Sequence, residues 1–271
     1  MKDVCLVIVT HNRLQNLRVA VDAAKANAAA ADILVVDNAS ADGTGAWLAE
    51  QDGIFVLSHA ENLGGAGGFA SGMEWAFERG YEWIWVMDDD VVPLPGGLDA
   101  LLRHGRNFPC VQPSKLDAMG RTFEFDGAVD ERSLRRSKLA HGKVFARTDH
   151  VPCNATCFEG LFLNRRAIEE VGYPDARFFV GWDDIHYGMR LARKFPLVYV
   201  ADFCVQKQFD KEKAFAFGRR WLSSSPESRA RHLRNMRRVI EMEKLGWRAR
   251  LQYVREWAKA KALDAMGAGR R

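Results

Sequence analysis

Three consecutive carboxylates, Asp88, Asp89 and Asp90, directly follow the uncharged run Trp83–Met87 (WIWVM). A run of this composition is typical of a buried strand, and burying carboxylates without a cation is costly. The three side chains should therefore lie where the strand leaves the sheet, at the edge where open α/β sheets bind ligands. Clustered hard oxygen ligands at that edge suit Mg²⁺ or Mn²⁺ together with a phosphorylated ligand. The simpler alternative is a solvated acidic turn before Pro93.

Asp37 and Asp184 are two further carboxylates at the ends of predicted elements. Asp37 follows the predicted strand Ile33–Val36 and opens the segment DNASADGT. It either closes a simple turn or accepts hydrogen bonds from a nucleobase edge. Asp184 stands with Asp183 directly before a predicted helix that begins at Ile185. Acidic residues there commonly cap the helix, but a carboxylate held over the ligand edge of the sheet could also act as a general base.

The segment Glu61–Gly68 (ENLGGAGG) joins a predicted strand, Ile54–Leu57, to a predicted helix, Phe69–Arg79. It is not a Walker sequence, because no Lys-Ser or Lys-Thr pair follows, and the first strand lacks the dinucleotide fingerprint. Glycines before a helix still allow backbone N–H groups to approach a phosphate closely. We therefore expect this segment to be a loop near a phosphorylated ligand.

Strands and helices alternate through the first part of the chain. The apolar run Val4–Thr10 predicts a buried strand, and Leu14–Ala30 has the apolar spacing of a helix. Together with the strands and helix described above, this alternation predicts an α/β fold with a mostly parallel, Rossmann-like sheet. Residues 107–151 are less regular, and residues 225–266 have the pattern of two helices that separate at Gly246.

The composition is that of an ordinary globular protein, with 271 residues, 48% hydrophobic and 27% charged. No apolar run approaches the roughly 20 residues that a membrane-spanning helix needs, and the N-terminus enters a strand pattern without a signal peptide. The five cysteines are odd in number and scattered along the chain. A reduced, cytoplasmic setting is therefore expected.

The net charge of +4 conceals an asymmetry between the body and the C-terminus. Residues 229–271 carry 13 Lys and Arg against 4 Asp and Glu, whereas the rest of the chain carries 26 against 31. Such a tail either packs on the body with a solvated basic face or binds an anionic partner. Trp247 and Trp257 among the basic residues favour an anionic membrane surface. Nucleic acid is not expected, because no base-reading module accompanies the charge.

Taken together, these segments resemble a family-2 glycosyltransferase of the GT-A fold. The resemblance covers roughly residues 4–240 and rests on the order of its motifs: VTHNR (9–13), VVDNASADGT (35–44), ENLGGAGGF (61–69), MDDD (87–90), EGLFLNRRAIEEVGYPDARFFVGWDD (159–184) and HLRN (232–235). The doubled glycines, WDD and HLRN look most like bacterial galactofuranosyltransferases and rhamnosyltransferases. The resemblance implies a catalytic domain over residues 1–225, with a nucleotide-sugar-binding half at 1–106 and an acceptor-side half at 107–225. A basic helical region follows at 226–271.

The resemblance also implies roles for individual residues. Asp184 is the expected catalytic base, and Trp182 and Asp183 are expected to shape the acceptor pocket. Asp88 and Asp90 match the DxD pair that holds a divalent ion, Mg²⁺ or Mn²⁺. The expected donor-binding residues are Thr10, Asn12, Arg13, Asp37, Asn38, Asn62, Gly64, Gly65, Gly68, Asp88 and Asp89.

Lys207 departs from the family pattern. Relatives have a histidine there that completes the metal site, whereas a charged lysine cannot ligate a metal ion and would repel it. We expect Lys207, together with Arg234, to neutralise the donor diphosphate instead. A GT-A-like domain that binds nucleotide or glycan with weak or no turnover is therefore the alternative. A nucleotidyltransferase would need a glycine-rich basic loop after the first strand, which HNRLQN does not supply.

The function implied by the resemblance is inverting transfer of a sugar from a nucleotide-diphosphate donor, with UDP-galactofuranose or dTDP-rhamnose favoured. The acceptor would be a glycan or a lipid-linked sugar in bacterial surface polysaccharide synthesis. A lipid-linked acceptor must be met at the bilayer, so peripheral contact with the inner face of the membrane through the basic tail is expected.

Overall fold

The computed structural model describes residues 2–209 and 225–268. The strands are β1 Val4–Thr10, β2 Ala31–Asp37, β3 Ile54–Ser58, β4 Trp83–Asp88, β5 Val91–Pro93, β6 Cys110–Leu116, β7 Thr122–Phe123, β8 Phe125–Asp130, β9 Arg135–Leu139, β10 His150–Pro152, β11 Phe162–Asn164 and β12 Leu197–Lys207. The helices are α1 Leu14–Asn27, α2 Thr44–Ala49, α3 Gly64–Glu78, α4 Gly97–Gly105, α5 His141–Val144, α6 Arg165–Val171, α7 Asp183–Ala192, α8 Pro226–Met242 and α9 Trp247–Ala268, with a 3₁₀ turn at Ala176–Phe178.

One ten-stranded sheet organises the molecule, with the order β10-β12-β6-β11-β4-β1-β2-β3; β5 pairs with β12 and β7 with β6. The strands β4, β1, β2 and β3 are parallel, as the alternation of strands and helices predicts. The short β11 enters antiparallel between β4 and β6, which makes the sheet mixed. The predicted α/β fold with a largely parallel sheet and C-terminal helices is confirmed.

Both faces of the sheet are covered by apolar clusters. Successive residues of a strand point to opposite faces, so a fully buried strand contributes to both clusters. All seven residues of β1 are buried. Leu6 and Ile8 belong to a cluster that contains Leu17 of α1, whereas Val7 and Val9 belong to a second cluster that contains Met73 of α3. A strand buried on both faces has no solvated side for charge, so polar groups are confined to its ends.

The glycine-rich segment differs from its prediction. We expected a loop through Gly68 and a helix from Phe69, but α3 already begins at Gly64. Glycine has a low helix propensity, so the sequence pattern alone favours a loop. Close packing of this helix against β1 stabilises the helical turn, because a Cβ at Gly68 would lie 2.5 Å from Val9 Cγ1.

The C-terminal region forms the two expected helices, α8 and α9. The residues of α8 that face the body include Met236, Val239 and Ile240, which pack with Trp182 and Ile185 of the α7 region in a third apolar cluster. Helix α8 begins at Pro226, and the division of the chain into domains at residue 225 remains a prediction. Residues 210–224, the end of the predicted acceptor-side half, lie outside the described residues. Among the described residues, no helix is both long and apolar enough to cross a membrane.

Candidate active site

Four carboxylates meet at the carboxyl end of β4. Asp88 is the last residue of this strand, and Asp89 and Asp90 follow it in the turn to β5. Glu159 precedes β11, and the antiparallel register of β11 with β4, continued by two hydrogen bonds, places it opposite Asp88. One carboxylate oxygen from each of Asp88, Asp90 and Glu159 lies within 4.8 Å of the other two. We refer to these three residues as the carboxylate triad.

Two buried lysines surround Glu159. Lys207, the last residue of β12, donates from Nζ to Glu159 Oε1, and the same Nζ lies 3.4 Å from Asp90 Oδ1. Lys115 of β6 donates to the other oxygen of Glu159 and to Cys157 Sγ, the latter at 3.2 Å. Each lysine is only 4% exposed. Glu159 is therefore compensated by two ammonium groups, which a buried carboxylate requires.

Asp89 is held by residues that follow or end β1. Thr10 donates from Oγ1 to Asp89 Oδ2 at 2.7 Å, and Arg13 Nη1 lies 3.4 Å from Asp89 Oδ1. The same guanidinium donates to Asp90 Oδ2 at 2.9 Å. Burial raises the pKa of Asp89 to about 6, although the Thr10 hydrogen bond and the Arg13 charge oppose the change. The acidic triplet is therefore an ordered, partly desolvated site and not a solvated turn.

The members of the carboxylate triad have unequal affinities for protons. Burial raises the pKa of Asp88 well above its ordinary value, and the charges of Asp90 and Glu159 raise it further. Burial also acts to raise the pKa of Glu159, but the Lys115 and Lys207 ammonium groups outweigh it and hold this pKa well below its usual range. The triad therefore favours positive charge beside Asp88 and Asp90.

The triad could hold a metal ion. Its three carboxylates are hard oxygen ligands of the kind that Mg²⁺ and Mn²⁺ prefer. Asp90 Oδ1 is buried and accepts no hydrogen bond from the part of the chain that the structure describes, so this atom is suited to a cation. Lys207 already lies beside Asp90 and Glu159, which makes it a competitor for any such ion.

The end of β2 forms a second part of the same sheet edge. Asp37 Oδ1 accepts from the Ser40 N–H at 3.0 Å, and its other oxygen makes no hydrogen bond within residues 2–209 and 225–268. Asn12 accepts from the Ala41 N–H at 2.7 Å and has φ +53°, a left-handed conformation that asparagine tolerates. The loops after β1 and β2 are thus joined, with one Asp37 oxygen available to a ligand.

The glycines of α3 have different surroundings. Gly64 has φ +72°, and a Cβ there would lie 2.1 Å from the carbonyl oxygen of Phe179. A Cβ at Gly68 would meet Val9, so Gly68 allows the helix to pack on the sheet. At Gly65 a Cβ would meet nothing within 4 Å. Gly65 is therefore the position among these three where a ligand has room to approach the backbone.

Asn38 and Asn62 position this helix start. Asn38 Nδ2 donates to the Gly64 carbonyl at 2.8 Å, and Asn38 Oδ1 accepts from the Leu63 N–H at 2.9 Å. Asn62 Oδ1 accepts from the Gly64 N–H at 2.8 Å, two residues on, which forms an Asx turn directly before the helix. Asn38 is buried and its amide is largely occupied by the protein, so the structure shows it shaping the segment; its contact with a nucleoside remains a prediction.

Asp183 and Asp184 form the first turn of α7. Asp184 is half-buried and its Oδ1 accepts from the Ile185 N–H at 2.7 Å. Burial raises the pKa of Asp184 to about 6 against the effect of this hydrogen bond, and burial followed by the Asp184 charge raises the pKa of Asp183 to about 7. The charges of Glu159 and Lys115 act on Asp184 as well, so it lies within electrostatic range of the carboxylate triad.

Among the described residues, neither Trp182 nor Arg234 makes a hydrogen bond or ion pair with the four clustered carboxylates. Trp182 is 4% exposed, has φ +72° and donates from Nε1 to His232 Nδ1 at 3.2 Å. It packs between α7 and α8, and a direct acceptor contact remains a prediction. Arg234 is exposed and makes no hydrogen bond or ion pair with a residue that the structure describes. A joint role of Arg234 and Lys207 at the donor diphosphate therefore remains a prediction.

Two residues with clear roles were absent from the predicted site. One is Glu159, which opens the motif at residues 159–184 and precedes the apolar run of β11, although neither feature identified it as a site residue. The other is Asn235, whose side chain donates from Nδ2 to the carbonyls of Phe178, Val180 and Gly181 at 2.9, 3.1 and 2.8 Å. Asn235 closes the motif HLRN (232–235), but neither that motif nor the helical periodicity showed that its side chain faces inward.

Comparison with known families decides between the classes of enzyme that this edge could serve. The family model described as "Glycosyl transferase family 2" matches residues 5–165, more than half of the chain. The chain belongs to glycosyl transferase family 2. The matched region runs from β1 through β11 and includes the whole carboxylate triad.

The names of the curated relatives refer to two kinds of sugar, galactofuranose and mannose. Galactofuranosyltransferase GlfT1 of Mycolicibacterium smegmatis is 32% identical over 198 residues, which cover 70% of this chain and 65% of the relative. Its namesake in Mycobacterium tuberculosis is 29% identical over 210 residues, with 71% and 65% covered. The undecaprenyl-phosphate mannosyltransferase of Micrococcus luteus is 34% identical over 116 residues, 41% of this chain and 48% of that protein. The chain thus spans just under two thirds of the length of the galactofuranosyltransferases.

Solved structures with similar folds support the GT-A architecture. GalNAc-T7 with UDP, GalNAc and Mn²⁺ superposes with a TM-score of 0.63 at 15% identity, covering 88% of this chain and 47% of that one. The mannosyltransferase PcManGT of Pyrobaculum calidifontis, in complex with GDP-Man and Mn²⁺, has a TM-score of 0.58 at 18% identity, covering 98% and 75%. At these identities the likeness is one of fold.

Proposed function

We propose that this family-2 protein is an inverting glycosyltransferase that moves a hexose from a nucleotide-diphosphate donor to a glycan or lipid-linked acceptor. UDP-galactofuranose and dTDP-rhamnose are the favoured donors, and the reaction would belong to the synthesis of bacterial surface polysaccharide. The observation that carries the proposal is the carboxylate triad at the sheet edge, with a desolvated Asp184 within its electrostatic range. The names of the galactofuranosyltransferase relatives support galactofuranose as the transferred sugar.

On the donor side, the free oxygen of Asp37 would accept from the nucleobase, and Thr10, Asn12 and Arg13 would order the loops around the nucleoside. The diphosphate would lie between Gly65 and the acidic cluster. A divalent ion held by the carboxylate triad would neutralise charge on the departing diphosphate. In this chain Lys207 brings a positive charge to the same place.

On the acceptor side, Asp184 would remove the proton from the attacking hydroxyl. The acceptor oxygen would then form a bond to the anomeric carbon while the bond from that carbon to the diphosphate oxygen breaks on the opposite side, which inverts the configuration. A base that works near neutral pH benefits from a pKa raised towards its working range, and burial supplies that change for Asp184. Trp182 and Asp183 would shape the acceptor pocket, and Asn235 would hold the loop that precedes the base.

A chain that binds nucleotide or glycan without turnover is the second candidate. It is favoured by Lys207, which contacts two of the three carboxylates that could otherwise hold a metal ion. The intact triad and the desolvated Asp184 favour turnover instead. The two candidates differ in product formation and not in donor binding.

The proposal is tested by calorimetric binding of UDP, dTDP and GDP sugars, followed by transfer assays with polyprenyl-linked sugar acceptors, each with Mn²⁺ and with EDTA. We expect one nucleotide-sugar to bind and to be consumed with release of the nucleoside diphosphate. Binding without release or transfer would support the second candidate, and no binding of any nucleotide-sugar would overturn both. Because a lipid-linked acceptor is met at the bilayer, we propose that the protein is cytoplasmic and peripheral on the inner face of the membrane. The transfer assay should therefore include membrane vesicles that carry the acceptor.

A further inference from the structure

Lys207 has surroundings that a cation-binding site would have. Its Nζ donates to Glu159 and forms an ion pair at 3.4 Å with Asp90 Oδ1, the buried oxygen that accepts no hydrogen bond within the described part of the chain. The ring of Phe209 lies 4.4 Å from the same Nζ, and the ring of Phe123 lies 5.8 Å away. Carboxylates on one side and aromatic faces on the other both stabilise the charged form of an amine.

The position of this ammonium is fixed by the backbone. Lys207 pairs with Val91 in the antiparallel contact of β12 with β5, directly after the acidic triplet. Gln208, the next residue, donates its backbone N–H to the Asp90 carbonyl at 2.9 Å and its side-chain amide to the Asp89 carbonyl at 3.0 Å. The strand that carries the lysine and the turn that carries the carboxylates therefore move together, and a lysine tied in this way is preorganised.

The two buried lysines differ in the residues that they contact besides Glu159. Both compensate Glu159, but Lys207 additionally reaches Asp90, whereas the other partner of Lys115 is Cys157. A divalent ion bound by the carboxylate triad would have to share Asp90 and Glu159 with the Lys207 ammonium. Like charges at that distance repel strongly where burial excludes water. Removing Lys207 would leave the triad open, while removing Lys115 would not.

We propose that the Lys207 ammonium is the resident cation of the donor site and occupies the position beside Asp90 and Glu159 that a divalent ion would otherwise take. This inference rests on the proposed function in one respect, that the ligand is a nucleoside diphosphate. Lys207 contacts the donor diphosphate directly, and nucleotide binding proceeds without a divalent ion. The acidic cluster then serves to anchor the lysine and to keep it charged.

The experiment uses the full chain, UDP as the probe and three variants. Lys207→Met removes the charge at similar length, Lys207→Arg retains it, and Lys115→Met removes a Glu159 partner that does not reach Asp90. UDP affinity is measured by calorimetry in EDTA and in Mn²⁺. Mn²⁺ binding without nucleotide is measured by electron paramagnetic resonance, and thermal unfolding verifies that each variant is folded.

We expect wild-type UDP affinity to be nearly the same in EDTA and in Mn²⁺, and wild type to bind Mn²⁺ weakly. Lys207→Met should weaken UDP binding in EDTA by about tenfold or more, as the loss of a charge-assisted contact does, and should bind Mn²⁺ more tightly than wild type. Lys207→Arg should remain insensitive to EDTA, and Lys115→Met should gain no Mn²⁺ affinity. Mn²⁺ binding equal in wild type and Lys207→Met, or wild-type UDP binding that requires Mn²⁺, would overturn the inference. If no nucleotide binds in any condition, the proposed function fails while the Mn²⁺ comparison still decides the role of Lys207.

Discussion

Asp184 is the residue on which turnover should depend most. Its side chain accepts a hydrogen bond from the Ile185 N–H, so it could be a helix cap or a base. Asp184→Asn keeps the shape and an accepting oxygen but cannot take a proton. We predict a loss of kcat of roughly 10²–10⁴-fold, the usual contribution of a positioned base, with UDP-sugar affinity unchanged. Steady-state kinetics with calorimetry tests this, and a variant that transfers sugar at the wild-type rate would leave Asp184 as a cap.

The pH dependence of that reaction follows from the same burial. Asp184 must be ionised to act, and its pKa is raised to about 6, so kcat should fall as the pH drops through that value. The contribution of Asp183 and Asp184 to the stability of the folded state has the opposite pH dependence. Because the pKa values of Asp183 and Asp184 are raised in the folded chain, it takes up their protons at higher pH than the unfolded chain does, which favours the folded state as the pH falls from about 7 towards about 4.

We therefore predict an acidic limb in the kcat profile without unfolding over the same range. The measurement is a kcat profile between pH 5 and pH 8 recorded beside circular dichroism at each pH, in a range set by the ordinary and raised carboxyl pKa values. Activity that is flat through this range would argue against Asp184 as the base. Loss of ellipticity in parallel with activity would assign the acidic limb to unfolding.

At the scale of elements, the start of α3 and the segment before α7 are locked together. The Phe179 carbonyl accepts from the Ala66 N–H at 3.0 Å, and Gly64 leaves no room there for a Cβ. Gly64→Ala combines strain at a positive φ with a clash, so we predict a loss of stability of more than about 1 kcal/mol. Gly65→Ala meets nothing within 4 Å and should leave stability nearly unchanged while weakening donor binding.

Urea unfolding and calorimetry with UDP distinguish the two glycine variants. Unaltered UDP binding by Gly65→Ala would show that the donor does not approach the backbone at this position. Equal stability of Gly64→Ala and wild type would contradict the close contact with Phe179.

The loop that carries the candidate base is held from α8 by Asn235. Asn235 is 3% exposed and its side-chain amide donates to three backbone carbonyls, so Asn235→Ala removes three hydrogen bonds and leaves the partly buried carbonyls of Val180 and Gly181 without this donor. We predict a loss of about 1–3 kcal/mol in stability and a fall in kcat larger than the change in donor affinity. Arg237→Ala, on the exposed side of the same helix, is the matched control. Both are measured by urea unfolding and kinetics, and wild-type kcat in Asn235→Ala would separate the loop from catalysis.

How much of this could be predicted from sequence depended on the range of the contacts. The apolar run before Asp88 and the alternation of strands and helices are local signals, and they correctly placed Asp37 and Asp88 at one edge of a parallel sheet. Glu159 and Lys207 are 48 residues apart, and their contact requires the antiparallel entry of β11 and the long β12, for which no local pattern exists. Periodicity likewise located α8 but did not show that Asn235 faces inward.

For the whole molecule, the two C-terminal helices differ in what they bury. Met236 and Val239 of α8 pack into the third apolar cluster, which supports the packing account of this helix. In α9, by contrast, Trp247 is 69% exposed and Val254 is 54% exposed. These residues belong to an exposed apolar set that we call the α9 apolar face, made up of Trp247, Leu251, Val254 and Trp257. The basic residues around it are Arg248, Arg250, Arg255, Lys259 and Lys261.

An apolar face flanked by cations suits the surface of an anionic bilayer, where each basic residue contributes about 1 kcal/mol and tryptophan favours the interface. We predict that the full chain co-sediments with phosphatidylglycerol vesicles at low salt and is released by high salt, because screening weakens the attraction between exposed charges. Phosphatidylcholine vesicles should bind it weakly. The double variant Trp247→Ser, Val254→Ser should lose binding, whereas Val19→Ser, at a 52% exposed apolar site on α1, should retain it.

Point variants are preferable to truncation, because Ala249 and Ala260 of α9 are buried against the body and Arg229 Nε donates to Asp264 Oδ1 at 2.9 Å. Failure of the wild-type chain to bind anionic vesicles at low salt would leave α9 with a packing role, since neither its charge nor its exposed tryptophans would then have a membrane partner.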